Sequence, residues 1–177
     1  MLGGMELDEH WMLAVQDAFA LANAVGPAFA HGKPLPSEPT RSLPEVAVLG
    51  DTGRELWMIL RAVAAGDTAA AAERLNALLD LMDARPRMAR RGPGGFWHLQ
   101  FVSSTGGEST HLVIATGMLL GSGDFVRIKG CQAPRCERVF LDSTRNRSQQ
   151  FCSTRCQDRV KTASLRERRR AREDTPS

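Results

Sequence analysis

Between Glu9 and Ala24 the apolar residues Met12, Leu13, Val15, Phe19 and Ala20 return at helical spacing, and Gly26-Pro27 ends the pattern. Residues 31 to 44 hold Pro34, Pro36, Pro39 and Pro44 and read as a loop. A second helix is expected from Asp51 to Ala65, with Leu56, Ile59, Leu60 and Val63 on one face. Gly66 stops it, and Asp67 is placed to cap a third helix from Thr68 to Ala84, a stretch of good helix formers. "ARRGPGG" is read as a break, after which "FWHLQFVSS" alternates as a strand does. That alternation puts Phe96, His98, Gln100 and Val102 on one side and Trp97, Leu99 and Phe101 on the other. In "STHLVIATGMLLG" the β-branched residues favour strand while length and the stop at Gly121 favour helix, and we read it as helix. "FVRIKG" reads as a short strand delivering the chain to Cys131.

All four cysteines lie beyond that point, spaced Cys131-x4-Cys136-x15-Cys152-x3-Cys156. Zinc takes four ligands at tetrahedral corners, and two close pairs meeting from opposite sides supply them. Pro134 lies inside the first pair and suits a tight knuckle; "RVFLD" and "SQQF" are expected to pair as strands around the turn "STRN". Ser153 or Thr154 then caps a helix whose first turn carries Cys156. Two disulfides, four unrelated thiols or an iron centre would use the same residues, but the spacing and a reducing compartment favour zinc. Four thiolates leave no open position for water, so a catalytic zinc does not fit.

Charge divides the chain at the same place. Residues 1 to 126 carry 9 Lys and Arg against 14 Asp and Glu, whereas residues 127 to 172 carry 14 against 4. The overall formal charge of +3 conceals this split. On a helix from Ser153 onward, Arg155, Arg159, Arg166, Arg169 and Arg170 share one broad face, with Cys156, Val160 and Ala163 turned toward the metal. With Lys161, and with Arg145 and Arg147 in the hairpin turn, they are the candidate nucleic-acid contacts. Phe140 and Phe151, the aromatic residues of this segment, read as core, which favours duplex DNA over stacked single strands.

The segment "CQAPRCERVFLDSTRNRSQQFCSTRCQDRVKTASLRERRR" resembles the CGNR-type zinc finger, found at the C-terminus of bacterial proteins whose N-terminal region is called the ABATE domain. The resemblance rests on the four cysteines, "VFLD", "STRNRS" and the arginine-ended helix. It is thinner upstream, where helix order, Asn23, "WHLQF" and "RIKGC" carry it. It implies a helical regulatory domain followed by a zinc finger, in a stress-induced transcription regulator that contacts DNA. The chain departs from the family pattern at Cys156-Gln157-Asp158-Arg159, which keeps only the cysteine and arginine of the tetrapeptide. Gln149 and Gln150 stand where the family often has basic residues.

The expected fold is therefore mainly α with a small β component: a helical, ABATE-like domain over 1–126, a treble-clef-like finger (knuckle, β-hairpin, α-helix) over 127–172 and a flexible tail over 173–177. Zn2+ is the expected cofactor, duplex DNA the expected partner, and a small effector or protein partner is expected at the N-terminal domain. Structural or protein-interaction use of the finger remains the alternative, with an enzyme built on an N-terminal pocket behind it. His98, His111, Trp97 and Asp124 are the residues such a pocket would use, though we expect no catalysis; His10 and His31 have no partner at ligand spacing. Trp11, Trp57 and Trp97 read as core, with the lining of a small-molecule pocket as the alternative. The acidic start "MLGGMELDEH" lacks a signal peptide's basic region, and no run approaches the roughly 18 apolar residues of a membrane span, so the expected location is cytoplasmic and nucleoid-associated.

Overall fold

The structure is a computed structural model that describes residues 9–35, 44–90, 92, 94–105 and 107–173. Helices α1 (Glu9–Val25), α2 (Pro44–Ala64), α3 (Thr68–Leu81) and α4 (Thr110–Gly121) form the body, and α5 (Thr154–Glu173) follows the cysteines. Strands pair antiparallel in three separate hairpins: β1 (Phe29–Ala30) with β2 (Lys33–Pro34), β3 (Arg85–Arg90) with β4 (Trp97–Val102), and β5 (Ile128–Gly130) with β6 (Val139–Leu141). The fold is mainly α with a small β component, as expected. The tail beyond residue 173 lies outside the described residues. Among the described residues no helix is long and apolar enough to cross a membrane.

Small residues let the helices approach closely. Ala14, Ala18 and Ala22 recur every fourth position of α1 and are buried together with Val15 and Phe19. Leu13 and Ala20, expected on that face, point to solvent. From α2 the predicted face of Leu56, Ile59, Leu60 and Val63 is buried intact, and Leu75 and Leu78 of α3 close over it. Helix α4 has buried apolar side chains around most of its circumference, as a helix enclosed by neighbours must. Ile128 and Val139 join the same core, so the hairpin that precedes and follows the first cysteine pair is packed on the helical body.

Asn23 fixes that docking. Its amide Nδ2 donates to the Val139 carbonyl at 2.8 Å, while its Oδ1 accepts the Val139 N–H at 2.9 Å. One buried side chain thus imitates a neighbouring strand at the edge of β6. Trp57 adds a second tie: its ring lies against the backbone of Gly26, where a Cβ would come within 2.2 Å of it, and its Nε1 donates to the Glu137 carbonyl at 3.1 Å.

Two expectations are corrected here. Helix α3 stops at Leu81 because Asp83 takes a left-handed conformation with φ 49°, its N–H donating to Asp80 and that of Ala84 to Leu79. This is a Schellman closure with aspartate in the place glycine usually holds. The freed segment becomes β3, so part of the presumed break is a strand. Trp97 is 61% exposed beneath the Arg90 guanidinium rather than in the core.

Asn23→Ala leaves both backbone groups of buried Val139 without partners, so we expect a loss of about 3 kcal/mol. Chemical denaturation of the purified variant against wild type reads it directly.

Candidate metal centre

The chain enters the centre from β5. Cys131 N–H donates to the Arg138 carbonyl at 2.9 Å, closing the knuckle "CQAPRC" at the end of the β5–β6 hairpin. The pairing differs from the expected one: β6 pairs with β5, and "SQQF" forms no strand. What shapes the link between the cysteine pairs is Asp142, fully buried at the end of β6. Its carboxylate accepts from Lys129 Nζ at 2.6 Å, from Thr144 N at 2.8 Å and Oγ1 at 2.6 Å, and from Gln149 N at 3.0 Å. Burial opposes its charge, but Lys129 above all, with Thr144 and Gln149, outweighs it and holds the carboxyl ionised far below the usual range. Gln132 N–H then donates to the Gln150 carbonyl, drawing the second pair against the first. Ser153 caps α5, its Oγ accepting from Cys156 N–H at 3.4 Å.

The sulfurs of Cys136, Cys152 and Cys156 lie 3.7 to 3.8 Å apart. No disulfide joins the cysteines. A tetrahedron with its centre about 2.3 Å from each sulfur has edges of about 3.8 Å, so the spacing is that of thiolates sharing one zinc. Cys131 Sγ lies beside them, accepting the Cys152 N–H at 3.4 Å. Burial and the neighbouring thiols of Cys131 and Cys136 push the Cys152 thiol well above its ordinary value. Burial works against the Cys136 thiolate too, but backbone N–H groups of Arg138 and His31 outweigh it and lower that pKa. Such a set ionises fully only around a cation.

A fifth donor comes from the helical body. His31 and Gly32 form the two-residue turn between β1 and β2, with φ 53° and 85°. The turn presses on the finger: Gly32 N–H donates to the Arg135 carbonyl, and Phe29 O accepts from Glu137 N–H. His31 N–H points at Cys136 Sγ at 3.5 Å, and His31 Nδ1 lies 3.4 Å from Cys156 Sγ. The donor atoms of His31, Cys136, Cys152 and Cys156 all fall within 4.8 Å of one another. Burial, helped by Arg138, Arg155 and Arg159, holds His31 below its ordinary pKa, so the ring is neutral at pH 7 and able to ligate or to donate one N–H. Cysteine spacing could not find this residue, which lies 100 positions before the knuckle. The signal was His-Gly between two short extended stretches, a pair suited to a type I′ turn.

The predicted arginines divide. Arg145 and Arg147 are exposed in the turn after β6; Arg155, Lys161, Arg166, Arg169 and Arg170 are exposed on α5. Arg159 is half-buried instead, packed over Gly32 with its Nη2 donating to the Pro134 carbonyl at 2.6 Å. Ala163 is exposed, because α5 leaves the finger after Val160.

Metal analysis should return one zinc per chain. Stripping it with a strong chelator should abolish hydrogen-exchange protection over 148–160 while β5 and β6, gripped by the helical body, stay protected. In chelator competition, Cys156→Ser should remove tight binding and His31→Ala should weaken it 10- to 100-fold.

Comparison with known proteins reaches the same segment. No curated protein matches the chain. Residues 127–169 match the family model of the CGNR zinc finger, and with the clustered donors this makes the segment a zinc-binding module.

Proposed function

We propose that the chain is a bacterial DNA-binding transcription regulator, cytoplasmic and nucleoid-associated, whose ABATE-like N-terminal domain answers a small effector or a protein partner. The observation that carries the proposal is the course of α5. From Lys161 to Arg172 nearly every residue is exposed, and Arg166, Arg168, Arg169, Arg170 and Arg172 project from it. A helix of about 12 residues without tertiary packing is marginal in water. Arginines three and four positions apart, such as Arg166 with Arg169 and Arg170, repel one another along it. Phosphates remove that repulsion and release counterions, so duplex DNA both binds and stabilises the helix. The half-buried Arg159 belongs to the scaffold of this interface, while Arg155, Lys161 and the later arginines form its contact surface, with Arg145 and Arg147 as a second point.

Leu165, half exposed beside Phe151 and Val160, favours a second reading in which the same helix docks on an acidic protein. We assign the zinc no catalytic step. His31, Cys136, Cys152 and Cys156 already offer the four donors of a closed zinc site, with Cys131 beside them.

The Arg155/Arg166/Arg169/Arg170→Ala variant separates these readings. For wild type we expect salt-sensitive binding to duplex DNA with a sequence preference, and for the variant a slope of log K against log salt reduced by about 0.9 per lost contact. Equal, weak binding to heparin and to any duplex would assign the helix to a protein partner.

A further inference from the structure

Residues of α1, β4 and α4 line a partly open cavity of about 600 Å³, separate from the zinc centre. Trp11, Phe96, Phe101 and Ile114 supply apolar and aromatic walls, and His98 and Thr110 contribute polar atoms. The size lies in the range of small-molecule sites, which combine apolar walls with a few convergent polar groups. Of the four residues weighed from sequence for an N-terminal pocket, the structure brings His98 and His111 to this cavity. Trp97 lies on the outer face of its hairpin, and Asp124 pairs with Arg127 at 3.0 Å.

Two details distinguish the cavity from a surface hollow. Thr110 is 5% exposed, and its Oγ1 has no hydrogen-bond partner among the described residues; the same holds for His98 Nδ1, itself shielded from solvent. Buried polar atoms left unsatisfied destabilise a structure, a cost a ligand bonding to them would offset. Among the described residues lining the cavity there is no Asp, Glu, Lys or Arg. A charged ligand would lose its hydration there without gaining a counter-charge. The Thr110 hydroxyl both donates and accepts, and His98 Nδ1 does one or the other according to tautomer.

We propose that this cavity binds a small, neutral, aromatic molecule carrying a hydrogen-bonding group such as an amide or a phenol. The rings of Trp11, Phe96 and Phe101 receive its flat body, and Thr110 and His98 its polar end. The proposal rests on the effector role proposed above for the N-terminal domain, and supplies a place and a chemistry for it. Binding is nevertheless measured on the zinc-loaded chain without DNA, so failure of the DNA reading leaves this test intact.

Benzamide, phenol and benzoate serve as probes in titrations followed by amide chemical shifts. Benzamide or phenol should bind saturably, with shifts centred on His98, Thr110 and Ile114, and benzoate at least tenfold more weakly. Thr110→Val keeps the shape and removes the hydroxyl, and should weaken benzamide roughly 5- to 20-fold, in line with one lost hydrogen bond. Ile114→Trp should fill the cavity and abolish binding; should that variant not fold, Thr110→Val alone decides. The proposal is overturned if neither neutral probe saturates, if benzoate binds as well as benzamide, or if Thr110→Val binds benzamide as tightly as wild type.

Discussion

Three cysteine sulfurs held 3.7 to 3.8 Å apart, with a fourth beside them, repel one another as thiolates, and only a cation at their centre turns that repulsion into attraction. Much of the C-terminal architecture follows from this. The knuckle after β5 carries Cys131 and Cys136, the Asp142 hub and the Ser153 cap set the course of the chain through Cys152 and Cys156, and none of them encloses a hydrophobic core large enough to hold the segment alone. Among the described residues, Ala133, Phe140, Phe151 and Val160 are the apolar side chains that cluster with the cysteines. The metal supplies the cohesion that a segment this small cannot bury.

The finger is also tied to the body that precedes it. Asn23 completes the edge of β6, Trp57 reaches Glu137, and the β1–β2 turn delivers His31 to the sulfurs. These ties are mostly polar and specific in direction, which fixes one register of finger against body. The acidic body and basic finger therefore meet through hydrogen bonds and shared apolar residues such as Ile128 and Val139, not through their net charges.

The sequence disclosed most where one strong local rule applied. Helical periodicity located the buried face of α2, Asp67 capped α3 as its spacing promised, and the cysteine spacing announced the zinc finger. What stayed hidden depended on backbone conformation or on distant partners. Asp83 ended α3 in a conformation usually given to glycine, so the helix was read three residues too long and the end of β3 was read as a break. Strand partners were misassigned in the finger because Asp142 organises its link through side-chain bonds, which imitate no strand pattern. His31 escaped because its metal neighbours lie a hundred residues away, and Arg159 looked like its exposed companions until Gly32 and Pro134 were seen beneath it.

Helix α5 begins one turn from the metal and runs without interruption to Glu173, a length of about 30 Å at 1.5 Å per residue. It is a lever with its pivot at Cys156. A tilt of about 5° at that pivot would carry Arg170, about 21 Å along the axis, through about 2 Å. The cluster of sulfurs therefore does more than hold the finger together: it sets the aim of side chains that never come near it.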